Sequence, residues 1–237
     1  MILATVLTLV GVALFVRLGT WQMHRADEKR ALIEQFEAGR QSTLTLTNEN
    51  ADAFPRYQHV RARGRFDGAH QVLLDNMPSQ HGRPGYHVLT PFELTDGGWV
   101  LVDRGWIPMG ATRADIPDVD VGVEPRELLG QLDDLPRAGI ALEAPSIEPA
   151  APWPRVMSFP PRATLEQALG RKLPERLVLL DAAQPDGYER VWHARFAFGP
   201  ERHLAYAVQW FALAAAAAAI YLFLMFRRKH KTHDVSD

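Results

Sequence analysis

The sequence predicts a membrane protein in which two transmembrane α-helices flank an extracytoplasmic, mainly antiparallel β (α+β) domain, barrel- or sandwich-like. Three observations carry this reading. An apolar run lies near each end of the 237-residue chain, cysteine is absent, and the long middle segment alternates with period two. The division that follows is a first span over residues 1–19, a helical stalk over 20–40, a β-rich domain over 41–202, a second span over 203–226 and a basic tail over 227–237.

Composition narrows the function classes. The formal net charge is −2, so no basic field favours nucleic acid as a partner. The lack of cysteine excludes disulfides, thiolate catalysis and thiolate metal sites. A domain facing an oxidising compartment must then be held by its core alone, and a middle segment of about 180 residues is large enough for that.

The first apolar run, Ile2 to Val16, is followed by Arg17, Leu18 and Gly19. It sits at the short end of what a span needs, and Arg17 can snorkel to the interface. A cleaved signal peptide would want a basic leader and a small-residue cleavage site. Met1 is followed directly by apolar residues, and Arg17-Leu18-Gly19-Thr20-Trp21 is a poor cleavage site, so an uncleaved anchor is expected. The second run, Leu204 to Phe226, has 23 residues with no formal charge and ends in Arg227-Arg228-Lys229-His230-Lys231. That cluster reads as cytoplasmic under the positive-inside rule, which places both termini inside and the middle segment outside. Trp21, Trp210 and Tyr221 suit interfacial depths.

Between the spans, Asp27 to Arg40 has helical spacing, with Ala31, Leu32, Gln35 and Phe36 near one face of an outward stalk. Tyr57 to Phe66 alternates, and His70 to Asp75 follows as a short apolar run. Gly85 to Leu94 and Trp99 to Pro108 are joined by Thr95-Asp96-Gly97-Gly98, a hairpin signal. Further strands are expected near Glu124–Leu132, Arg155–Phe159 and Leu177–Asp181. A helix is expected over Thr164–Leu169, capped by Thr164 and ended by Gly170. Dense proline from Pro145 to Pro161 predicts a surface loop.

No zinc-protease, phosphate-loop or serine-hydrolase motif is present, and the chain is expected not to be an enzyme. Of nine histidines, His81 and His87 flank Gly82-Arg83-Pro84-Gly85 and read as exposed loop residues. His230 and His233 sit in the basic tail and read as solvated. His203 is the last polar residue before the second span. On a helix it shares a face with Tyr206, Ala207, Trp210 and Ala214. A neutral imidazole beside aromatic and small residues suits axial ligation of a haem iron. An interfacial histidine with Tyr206 and Trp210 as belt residues is the ordinary alternative. The outer end of the first span carries Arg17, Trp21, Gln22, His24 and Arg25 at the same depth. Arginines there suit haem propionates and lipid phosphates equally. Asp75, Asp103 and Asp181 flank predicted strands, where turn and ion-pair roles outweigh a two-carboxylate site.

Taken in order, several segments make a specific pattern. They are Leu18-Gly19-Thr20-Trp21-Gln22, Arg25, Lys29 and Leu32; Tyr57, Val60, Gly64 and Phe66; Leu74-Asp75-Asn76; Gly82 to Phe92; Val102 to Pro108; and His203 to Phe211. The chain resembles the SURF1 family of assembly factors for haem-copper cytochrome c oxidase over nearly its whole length. The resemblance implies a protein of the bacterial plasma membrane or the mitochondrial inner membrane, here expected in the former, that assists maturation of oxidase subunit I. It also implies binding of haem a, with His203 as the iron ligand. On that basis Tyr206 and Trp210 are expected to pack beside the macrocycle, and Trp21 and Arg25 to complete the site from the first span. Subunit I, and haem a synthase with it, are the implied partners. The rival expectations are a chaperone of subunit I that never touches haem, and a membrane-anchored hydrolase using Asp75 or Asp103.

Overall fold

The structure is a computed structural model and describes residues 2–79, 81–112, 115–137, 152–194 and 198–233. It divides into two compact units. One holds residues 1–35 and 194–237, the other Phe36–His193.

The first unit is a pair of long helices, most of α1 (Ile2–Ala38) and α3 (Pro200–His233). Both are long and apolar enough to cross a bilayer. Large apolar side chains such as Leu3, Leu7, Val10, Leu222 and Phe223 are exposed along them, the pattern of helices whose solvent is lipid. In α1 the less exposed positions include Thr5, Thr8, Val12, Phe15, Gly19, Gln22, Ala26, Lys29, Ile33 and Phe36, spaced three and four apart, with Gly11, Leu18 and Leu32 beside them. The same seam runs through the stalk. It corrects the expected stalk face: Leu32 and Phe36 are sheltered, while Ala31 and Gln35 are exposed because they fall off the seam.

The second unit is built on an eight-stranded mixed sheet. Its strands are β1 (Thr43–Thr45), β2 (His59–Phe66), β3 (Val72–Leu74), β4 (Gly85–Leu94), β5 (Trp99–Pro108), β6 (Arg126–Asp134), β7 (Arg155–Met157) and β8 (Arg176–Leu180). The spatial order is β1-β2-β6-β8-β5-β4-β3-β7, and β2 also pairs with β4. The pairings β2–β6–β8–β5–β4 therefore return to β2. Most neighbours are antiparallel, but β1–β2, β3–β7 and β5–β8 are parallel. This mixed pattern departs from a simple antiparallel meander.

Alternation explains β2. Val60, Ala62 and Phe66 point into the core, while Arg61, Arg63 and Arg65 point out. The outward arginines pair with Glu127 and Glu93 on the flanking strands. The inward residues meet Phe92, Leu94, Val100, Val102, Leu128, Leu132, Val178 and Leu180 in one cluster. Each such side chain contributes on the order of 1.5–3 kcal/mol on burial. Strands β4 and β5 are buried on both faces. Their second face carries a smaller cluster of Leu73, Tyr86, Val88, Ile107 and Val119.

The predicted β4–β5 hairpin is present with the expected bounds, its turn closed by Gly97 N–H donating to the Leu94 carbonyl at 3.1 Å. Helix α2 spans Arg162–Leu169 and ends at Gly170 in the left-handed region, as expected. Its start corrects the expected Thr164 cap. Pro161 stands at the N-cap, and its carbonyl accepts from Thr164 N–H at 3.0 Å. Proline suits this boundary because the helix entrance leaves its N–H groups unpaired anyway. Strand β7 stops at Met157, short of Phe159, whose φ of 44° cannot continue a strand. Of the proline-rich loop, residues 145–151 lie outside the described residues.

Candidate functional site

Helices α1 and α3 run antiparallel, and three contacts spaced along them fix their register. Thr5 Oγ1 and Tyr221 Oη are 2.8 Å apart. Phe15 and Trp210 stack with ring centroids 5.8 Å apart and an interplanar angle of 26°. His203 Nδ1 lies 2.7 Å from Gln22 Oε1. Between the last two, Gly19 faces Phe211: a Cβ on Gly19 would lie 2.7 Å from two ring carbons, so only glycine fits without displacing the ring. On α3 the sheltered positions include His203, Ala207, Trp210, Phe211, Ala214 and Tyr221. This is the three-four spacing of a helix that packs along one seam.

The His203–Gln22 contact determines what the imidazole can do. An amide oxygen only accepts, so Nδ1 carries the proton and Nε2 keeps its lone pair. A donor bond from one ring nitrogen to a fixed acceptor is what orients histidines that ligate metals through the other. The residues present therefore fit axial ligation of an iron by Nε2. Among the described residues, no three His, Asp or Glu side chains come together as a metal site. A single-imidazole attachment to a macrocycle does not need such a cluster.

The other expected site residues fall on three different parts of the pair. Trp210 lies on the seam, with its ring against Phe15. Tyr206 is one position off the seam and 42% exposed. Trp21 is 49% exposed, with the Arg25 guanidinium 5.6 Å from its ring centroid. Arg25 also pairs with Glu28 at 2.7 Å on the exposed side of α1. The helix pair thus joins His203, Trp210 and α1, while Trp21, Arg25 and Tyr206 face outward. Gln22 is the residue that sequence reasoning left out of the site. The signal for it was the three-four spacing of Phe15, Gly19, Gln22 and Ala26, which puts the glutamine on the packing face.

The β domain holds separate polar clusters. His87 is not a loop residue: it lies within β4 and its Nδ1 donates to both oxygens of Asp103, at 3.0 and 2.9 Å. Asp103 is fully buried and also accepts from Gly105 N–H at 3.0 Å. His81 is exposed, as expected. His59 bridges Thr43 and Asp181, at 2.8 Å to each. Asp75 is buried, and its N–H donates to the Met157 carbonyl. Asp103 and Asp181 thus each hydrogen-bond a histidine carried by another strand.

A family model described as the SURF1 family matches residues 9–215. A SURF1-like protein of Rickettsia conorii is 25% identical over 97% of this chain and 93% of its own length. A SURF1-like protein of Rickettsia felis is 30% identical over 41% of this chain and 43% of its own. Surfeit locus protein 1 of Xenopus tropicalis is 33% identical over 45% of this chain. The last two alignments span less than half of the relative, 43% and 40% respectively.

Proposed function

The chain belongs to the SURF1 family, and from that premise we propose that it assists assembly of a haem-copper cytochrome c oxidase, holding haem a and helping to pass it into subunit I. In this reading α1 and α3 cross the bacterial plasma membrane with both termini in the cytoplasm. The basic run Arg227 to Lys231 supports that orientation. The β domain then stands outside, where it offers a docking surface to subunit I or to haem a synthase.

One observation carries the haem reading: His203 Nδ1 lies 2.7 Å from Gln22 Oε1, an acceptor for its N–H, and that tautomer leaves the lone pair on Nε2 for iron. His203 sits in the first turns of α3, which in this orientation is the end of the span at the outer interface. A carrier must release its cargo, so one imidazole with open surroundings suits the task better than a closed two-ligand pocket. The exposed Trp21 and Tyr206 supply flat apolar surface at that depth, and Arg25 supplies a cation for a propionate.

A second reading is favoured by a different observation. Trp210 is already engaged by Phe15, so this aromatic residue of α3 serves the helix pair itself, as it would in a chaperone of subunit I that never touches haem. The test is the absorption spectrum of detergent-purified full-length protein from cells that make haem a. The haem reading expects a ligated haem spectrum in the wild type and its loss in His203→Ala. Haem retained in His203→Ala refutes the ligand. A haem-free wild type that still co-purifies with the oxidase establishes the chaperone reading.

A further inference from the structure

We infer that Gln22 is a positioning residue for the proposed iron ligand, fixing the His203 imidazole in the tautomer whose Nε2 carries the lone pair. This rests on the haem reading above and adds a residue to it from the other helix.

A neutral imidazole has one N–H, and the group that accepts it decides which nitrogen is left to bind metal. Gln22 Oε1 stands 2.7 Å from Nδ1, a full-strength hydrogen bond. Both partners project from helices held at neighbouring seam positions. Gln22 lies one turn beyond Gly19, whose missing side chain lets Phe211 of α3 approach closely. His203 lies two turns before Trp210, which is stacked on Phe15. The contacts on α1 that set Gln22 therefore also set the spacing to α3, and the amide is delivered to the imidazole by the packing of the pair. An acceptor on the distal nitrogen raises the basicity of the ligating one, and losing such a partner typically weakens metal binding about 10–100-fold. A carboxylate in place of the amide pulls the proton harder and gives the imidazole more anionic character, which favours ferric over ferrous iron.

The test uses the full chain in detergent micelles, titrated with haemin and followed by absorption, then by redox titration of the loaded protein. Wild type is expected to give a histidine-ligated spectrum that His203→Ala lacks. Gln22→Leu is expected to bind haemin about 10–100-fold more weakly. Gln22→Glu keeps an acceptor and guards against a merely structural effect. It is expected to bind at least as tightly as wild type, with its midpoint potential shifted to lower values. If His203→Ala loses the spectrum while both Gln22 variants match wild type in affinity and potential, the role of Gln22 is overturned and the ligand reading stands. If wild type and His203→Ala titrate alike, the ligand reading itself is overturned.

Discussion

The side-chain amide of Gln131 on β6 donates to the backbone carbonyl of Phe36 at 2.6 Å. Phe36 belongs to the last turn of α1, where carbonyls run out of helical N–H partners. The same nitrogen donates to the Tyr57 carbonyl at 2.9 Å, and the amide oxygen accepts from Arg40 Nε at 3.3 Å. One buried glutamine thus satisfies two carbonyls and secures Tyr57, a non-glycine residue at a φ of 70°. Gln131→Leu strands both carbonyls away from water and is expected to cost about 1–3 kcal/mol. Gln131→Glu sets a carboxylate against two carbonyl oxygens and is expected to cost more. Chemical unfolding of the full chain in detergent, followed by circular dichroism, measures both. A leucine variant as stable as wild type contradicts the assignment.

Among the described residues, Arg104 is the largest fully buried side chain, at 1% exposure. Its Nη1 donates to Gln71 Oε1 and the Val119 carbonyl, each at 2.9 Å, and its Nε to the Asp186 carbonyl at 2.7 Å. The guanidinium lies 5.0 Å from the Tyr188 ring centroid and 5.8 Å from that of Phe66. Burial pushes its pKa down from the ordinary arginine value, yet arginine stays charged. The cation organises the loops that cover the second face of β5. Arg104→Met removes donors from several buried acceptors at once and is expected to cost at least about 3 kcal/mol. Arg104→Lys keeps the charge but loses the planar fork, so partial loss is expected. Protein level in the membrane and the unfolding midpoint report both variants.

Asp67 gives the β domain an acid-sensitive contact. Burial alone would raise its carboxyl, but hydrogen bonds from Arg171 and His70 outweigh that and hold its pKa below the usual aspartate value. A depressed pKa contributes stability that is fully present above the unfolded value of about 3.9 and is lost as pH falls through the folded one. Wild type is expected to exceed Asp67→Asn by a steady margin of about 1–2 kcal/mol above roughly pH 5. Below about pH 4 the margin should shrink toward zero. Unfolding curves at several pH values check this. A margin that persists undiminished into acid means that the carboxylate charge is not what stabilises the contact.

Local chemistry is what the sequence made readable. The β4–β5 hairpin stands where alternation and an Asp-Gly-Gly turn put it, because both signals are contained in about twenty residues of chain. Strand β1 could not be read in the same way. Thr43–Thr45 is exposed and exists through parallel pairing to His59–Arg61, so its cause lies far along the chain. The parallel pairing of β5 with β8 is equally non-local. His87 looked exposed because nothing near it in sequence announces Asp103, its partner across the hairpin. At the helix pair, His203 stood out as the polar residue that opens a span. Gln22 did not, because its role depends on which face of α1 meets α3, and that face becomes visible only when the three-four spacing is followed over several turns.

Gly19 tests whether the helix pair sets the proposed site. A Cβ there would stand 2.7 Å from Cε1 and Cζ of Phe211, well inside contact distance. The ring cannot move freely, because α3 is also tied to α1 on either side, through Phe15–Trp210 and through Gln22–His203. Overpacking of this kind typically costs about 1–3 kcal/mol. Gly19→Leu must therefore part the helices or twist one against the other, and the Gln22–His203 bond, one turn away, is the first polar contact to stretch. The chain has no cysteine, so a Thr5→Cys/Tyr221→Cys pair, placed where those side chains now meet at 2.8 Å, reports helix pairing without background. Cross-linking with a short bifunctional maleimide is expected to be efficient in an otherwise wild-type chain and several-fold lower when Gly19→Leu is added. Gly19→Ala, which asks the ring to give by far less, should fall between them. Equal cross-linking in all three would show that Phe211 yields instead of the helices, and the close approach at Gly19 would then have no bearing on where Gln22 meets His203.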